Sequence, residues 1–79
     1  MTGSEVLVRL SKAEALVLFE WLANLDSLNT SPFSHPSEEK VMWRIEGQLE
    51  SILVELFAPN YKELLAQARI DVEKFEARR

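Results

Sequence analysis

The segment between Glu14 and Asp26 is apolar on almost every side, and this feature limits the folds open to the chain. Glu20 is the only charged side chain inside it, surrounded mostly by aliphatic and aromatic residues. Ser11 and Glu14 have the S-x-x-E spacing of a capping box, which predicts a helix from Lys12 to about residue 27. A helix that is apolar nearly all round must be covered nearly all round.

Prolines and caps predict two further helices. Residues 28–37 contain two prolines and five Ser, Thr or Asn side chains, which indicates a loop. Pro36 and the two glutamates after it favour a helix start, so a second helix is expected over about 36–57. Pro59 ends that helix, and Asn60 caps a third helix over about 61–77. We therefore predict one mainly α domain spanning residues 1–79, built as a three-helix bundle.

The second predicted helix has a regular apolar seam, which indicates the face that packs in the core. Gly47 lies off this seam, beside large apolar side chains. It either simply costs about 1 kcal/mol of helix propensity or lets another backbone approach closely. The seam consists of residues spaced by three and four positions, namely Met42, Ile45, Leu49, Ile52 and Leu56, joined by Val41 and Leu53.

A short β-strand is expected before the helices, over about residues 5–10. These residues are rich in aliphatic side chains that alternate between two faces, with Val6, Val8 and Leu10 on one face. A single strand cannot satisfy its own backbone hydrogen-bonding groups. The segment therefore pairs with the same segment of a second copy, adds to the sheet of another protein, or is an extended, solvated arm.

Two small helices cannot easily enclose the first helix, so part of it is expected to contact the N-terminal segment or another molecule. The alternative is complete coverage within the chain. If part of the first helix is a binding surface, Glu20 is either a rim residue of that surface or its acidic centre beside Trp21, since tryptophan is enriched at such centres.

The charge pattern argues against nucleic acid as a partner. The chain has 13 acidic and 9 basic side chains, a net charge of −4, and its basic residues are scattered. Nucleic-acid binding needs concentrated positive charge. We find no signal-peptide pattern, no run long enough to span a membrane, and no cysteines for disulfides, so we expect a cytoplasmic protein.

No sequence motif indicates catalysis, a cofactor or a metal. His35 is the only histidine, and its place beside Pro36 favours a role in capping the second helix. Glu46 and Glu50 are four residues apart and predict a solvated acidic face. An enzyme would require Glu20, Glu46 and His35 to converge on one pocket, so we expect a non-enzymatic protein.

The segments 10–22, 43–46 and 57–61 (LSKAEALVLFEWL, WRIE and FAPNY) resemble short bacterial proteins of unassigned function. In size, acidity and helicity the chain is also similar to immunity proteins, which implies binding and neutralising a toxin. We therefore predict a protein-binding module of this immunity or antitoxin type, or else a homodimeric structural or regulatory protein; a small enzyme is the third hypothesis. The predicted partner-binding residues are Val6, Val8, Leu18, Glu20, Trp21, Trp43, Glu46 and Glu50.

Overall fold

The computed structural model describes residues 4–27 and 32–74, and it contains three α-helices and one short 3-10 helix. Helix α1 spans Lys12–Asp26, α2 spans Pro36–Ile52 and α3 spans Tyr61–Lys74. The 3-10 helix spans Val54–Phe57 and links α2 to α3. The mainly helical prediction with three helices is therefore confirmed, whereas the predicted end of the third helix at residue 77 lies outside the described residues.

Local capping chemistry sets the starts of α1 and α2. The Glu14 N–H donates to Ser11 Oγ over 3.0 Å, and the Ser11 N–H donates to Glu14 Oε1 over 2.7 Å, so the predicted capping box is confirmed. At α2, Pro36 occupies the first turn and the Ser37 N–H donates to His35 Nδ1 over 3.0 Å. His35 is thus the cap of α2, as predicted.

Helix α2 ends five residues earlier than predicted, at Ile52 rather than at residue 57. The backbone of Leu53 is extended (φ −86°, ψ 91°), although its N–H still donates to the Leu49 carbonyl over 2.8 Å. The chain then continues as the 3-10 helix. Leu53 is buried in the core cluster.

The core lies where α1, α3 and the end of α2 meet. Helix α1 packs against both α2 and α3, whereas α2 and α3 do not pack directly against each other. This central position explains why α1 has so few charged residues, because it needs apolar side chains toward two neighbours. The buried cluster consists of Ala15, Leu16, Leu53, Leu65 and Ala68.

The predicted strand at residues 5–10 is not formed within the described part of this chain. No strand occurs among residues 4–27 and 32–74, and residues 4–10 have no regular secondary structure and are exposed. No backbone N–H or C=O group of residues 5–10 forms a backbone hydrogen bond with another described residue. The alternation of side chains is compatible with a strand, but no second strand is present to pair with it. We call residues 4–10 the N-terminal arm.

The remaining surface of the helices carries several large apolar side chains. Two residues of the predicted core seam, Ile45 and Ile52, are exposed, whereas Met42 is buried and Leu49 is partly buried. The core-seam prediction is therefore wrong for Val41, Ile45 and Ile52, which are exposed, and confirmed for Leu53, which is buried. No helix in the described part of the chain is long and apolar enough to cross a bilayer.

Candidate protein-interaction surface

An apolar groove of about 560 Å³ lies between the N-terminal arm, α1 and α2. Only Ser11, Lys12 and Gln48 contribute polar side chains to its lining. Grooves that bind other molecules are typically lined by apolar side chains with few polar groups. The apolar lining residues are Val6, Leu7, Val8, Leu10, Ala15, Leu18, Ile45, Leu49, Ile52 and Leu53.

Helical spacing brings the α2 side of the groove together. Gln48 and Leu49 lie three and four residues after Ile45, and Ile52 follows them by four and three, so these residues share one face of α2. Only part of this face of α2 packs in the core. Leu49 and the adjoining Leu53 pack inward, while Ile45 and Ile52 remain exposed in the groove wall.

The arm supplies the most exposed apolar side chains of the groove. Val6, Leu7 and Val8 are 90%, 89% and 75% exposed, although all three line it. Contiguous apolar surface of this kind usually marks an interaction site. The arm and the groove therefore form one continuous surface, which we call the arm–groove surface.

An ion pair neutralises the one cation at the edge of the groove. Lys12 Nζ donates to Glu55 Oε2 over 2.7 Å, which ties the start of α1 to the 3-10 helix. The hydrogen bond from Lys12 lowers the pKa of the Glu55 carboxyl, and the Glu55 backbone N–H adds to this effect. Because Lys12 has a carboxylate partner, the groove does not present it as a site for an anion.

Glu20 contributes to the contact between α1 and α3. The Tyr61 hydroxyl donates to Glu20 Oε1 over 2.9 Å in a partly buried position. Burial and the hydrogen bond to Glu20 raise the pKa of Tyr61 to about 12. The sequence pattern missed this pair because its members are 41 residues apart.

The structure separates the predicted partner-binding residues into two surfaces. Val6, Val8 and Leu18 meet in the groove, and Trp21, which is 58% exposed, lies one turn of α1 beyond Leu18. Another group lies roughly 100–180° around α2 from Ile45 and Ile52, because successive residues of an α-helix rotate by about 100°. This second group comprises Trp43, Glu46 and Glu50.

Of the residues that line the groove, the sequence predicted only Val6, Val8 and Leu18 as partner-binding, and the groove's exposed apolar residues Leu7, Leu10, Ile45 and Ile52 were missed. Leu7 was placed on the opposite side of a strand from Val6 and Val8, and the two isoleucines were assigned to the core seam. The available signal was the number of apolar positions on α2, which exceeds what one neighbouring helix can cover.

The geometry brings no catalytic or metal-binding group together in the described part of the chain. No cluster of three or more His, Asp or Glu side chains capable of holding a metal ion occurs among residues 4–27 and 32–74. His35 is engaged with Ser37 at the start of α2, and Glu20 is engaged with Tyr61. The arm–groove surface is thus the feature best suited to binding.

Compared with family models, curated proteins and solved structures, the chain shows no significant match. The resemblances to short bacterial proteins and to immunity proteins therefore stay predictions, and a function has to be inferred from the surfaces of the chain.

Proposed function

We propose that this chain is a non-enzymatic protein-interaction module that binds polypeptide through its arm–groove surface. The observation that carries this proposal is the apolar groove of about 560 Å³, bordered by an arm whose residues 5–10 make no backbone hydrogen bond with the rest of the described chain. Apolar side chains favour burial against another chain, at about 25 cal/mol per Å². The unpaired N–H and C=O groups can meanwhile pair with an extended segment.

In the more specific form of the proposal, the bound polypeptide is a toxin and the chain acts as an immunity or antitoxin-type inhibitor. The net charge of −4 supports binding to a basic protein, because opposite charges accelerate encounter and select partners. Trp43, Glu46 and Glu50 could then add a second, acidic contact on the other face of α2. The other candidate partner is a second copy of the chain, which the sequence of the arm favours.

Site-specific photo-crosslinking in the native host tests the general proposal. A benzophenone side chain at position 52 should form adducts with polypeptide, because Ile52 lines the groove. The same group at position 54 is the matched control, because Val54 is similarly exposed but does not line the groove. Equal adducts at both positions, or none at position 52, would contradict a binding role for the groove.

A growth assay tests the toxin-binding form. Once a candidate toxin is found, co-expression of the chain should restore growth of cells that produce it. Ile52→Glu should abolish this protection, because it places a charge in the apolar groove. Val54→Glu should preserve it. Protection that survives Ile52→Glu with undiminished strength would show that toxin binding uses another surface.

A further inference from the structure

The N-terminal arm has a charge pattern that is complementary to itself. Leu7 lies at the centre of the segment Glu5–Arg9, with an acidic residue two positions before it and a basic residue two positions after it. In an extended chain, positions 5, 7 and 9 share one face, and Val6 and Val8 share the other. Residues at equal distances before and after Leu7 are therefore similar in size, and the outer two, Glu5 and Arg9, have opposite charges.

Antiparallel pairing of two such arms about Leu7 matches all five side chains of residues 5–9. Glu5 of each copy then lies opposite Arg9 of the other, Val6 lies opposite Val8, and the two Leu7 residues face each other. Opposite charges and paired aliphatic side chains both stabilise directly facing positions of antiparallel strands. A shift to a centre at Val6 or Val8 loses both charge pairs, because Leu7 then lies opposite Glu5 or Arg9. The sequence thus selects one register.

The exposed groove residues offer, as an upper limit that counts both faces of the arm, the area that the smallest specific interfaces bury. The exposed groove residues of largest apolar area are Val6, Leu7, Val8, Leu10, Ile45 and Ile52. Taking about 1.45 Å² per dalton for a fully exposed residue, their exposed fractions correspond to about 600 Å² per copy. Two copies together then offer about 1,200 Å², which reaches the lower limit for specific protein interfaces.

We propose that the arm–groove surface binds a second copy of this chain, with the two arms paired antiparallel about Leu7 over the grooves. This inference names the partner of the site described above and therefore rests on the proposed function. Pairing supplies hydrogen-bond partners for the backbone groups of the arm. It also covers the groove side chains Ile45 and Ile52, which the monomer leaves exposed.

Charge reversal within the arm tests both the dimer and its register. Sedimentation velocity of the wild-type chain between 5 and 200 µM should show a species of twice the 9.1 kDa monomer mass. Arg9→Glu should raise the dimer dissociation constant at least tenfold, because it creates two pairs of facing carboxylates. Glu5→Arg should weaken the dimer similarly, and the combination of Glu5→Arg with Arg9→Glu should restore it.

Lys62→Glu is the matched control, because it changes the net charge as Arg9→Glu does but alters an exposed residue of α3. It should leave the dissociation constant within twofold of wild type, and circular dichroism should show the same helix content for all variants. A wild-type monomer at 200 µM overturns the proposal. So does a dimer that the charge reversals leave unchanged, or a double variant that fails to recover.

The two proposals fail in distinguishable ways. A monomeric wild-type chain whose position 52 crosslinks to a different protein contradicts self-pairing but supports binding through the groove. Adducts of twice the monomer mass that form at position 52 and not at position 54 support both. Hydrogen exchange adds a direct readout of pairing, since the amides of residues 5–9 should be protected at 200 µM and unprotected at 5 µM.

Discussion

Leu53 joins the end of α2 to the core formed by α1 and α3, so its truncation tests the packing most directly. It is the most deeply buried large side chain described, at 1% exposure, and it contacts a cluster that includes Leu16 and Leu65. The residues on either side of it behave oppositely, because Ile52 is 66% exposed and Val54 is 72% exposed. Three consecutive aliphatic residues therefore have very different environments.

The expected loss on Leu53→Ala is large relative to the stability of so small a domain. Truncation of a fully buried leucine costs about 3–5 kcal/mol, comprising the lost transfer free energy and the cavity left behind. A chain of 79 residues is expected to be stable by about 4–12 kcal/mol. The variant should therefore lose between a quarter of its stability and all of it, and its Tm should fall by at least about 10 °C.

Thermal and urea unfolding followed by circular dichroism would measure the effect. Ile52→Ala and Val54→Ala are controls one residue away on each side, and each should cost less than about 1 kcal/mol because little of either side chain is buried. The measurements belong at low micromolar concentration, where self-association does not add to stability. A change of concentration should affect Ile52→Ala more than Val54→Ala if a second copy covers the groove.

Two results would refute this packing. If Ile52→Ala costs as much as Leu53→Ala in dilute solution, α2 continues past Ile52 with its regular seam in the core, as the sequence pattern predicts. If neither substitution costs more than about 1 kcal/mol, the core lies elsewhere.

Three further predictions concern Tyr61, the ion pair between Lys12 and Glu55, and Gly47. Tyr61, the only tyrosine, should ionise near pH 12 by its absorbance at 295 nm, rather than near its usual 10. Because the pKa of Tyr61 is raised in the folded chain, its contribution to stability is present below pH 10 and is lost between pH 10 and 12. Tyr61→Phe, which also loses the hydrogen bond to Glu20, should remove this part of the decrease in stability at alkaline pH. Lys12→Met should raise the pKa of Glu55, as measured by NMR titration. The lowered pKa of Glu55 in the folded chain stabilises the fold at pH values above the unfolded pKa, and this contribution is lost as the pH falls. The variant should therefore lose less stability on acidification than the wild-type chain. Gly47→Ala should raise the free energy of unfolding by about 0.5–1 kcal/mol in urea titrations, because nothing lies within 4 Å of the added Cβ position; a loss of stability would show that the glycine is required.

Local sequence signals predicted the helix starts well, because they depend on neighbours in the chain. The capping box at Ser11, the proline at position 36 and the break at Pro59 each act within one turn of a helix. The first residues of α1, α2 and α3 accordingly agree with the predictions. The predicted end of the second helix failed, because nothing local distinguishes Leu53 from the helical residues before it.

The interaction surface was only partly predictable for a related reason. The sequence indicated that α1 needs covering and that the arm lacks a strand partner, and it placed Val6, Val8 and Leu18 at the surface. It could not show that Ile45 and Ile52 face outward, because helical spacing identifies an apolar face without telling which part of it another helix covers. Glu20 was assigned to a binding surface, whereas its hydrogen-bond partner is Tyr61.

The sequence by itself determined that this chain forms three helices, with an apolar first helix and an arm in which Glu5 and Arg9 stand at equal distances from Leu7. These properties depend on residue order and on interactions within a few positions. Only the tertiary structure decided that α1 lies between α2 and α3, that Leu53 rather than Ile52 enters the core, and that arm and groove form one surface. Those outcomes depend on which apolar side chains meet across segments far apart in the chain. Local spacing does not encode these contacts, because the hydrophobic effect that drives burial is non-directional.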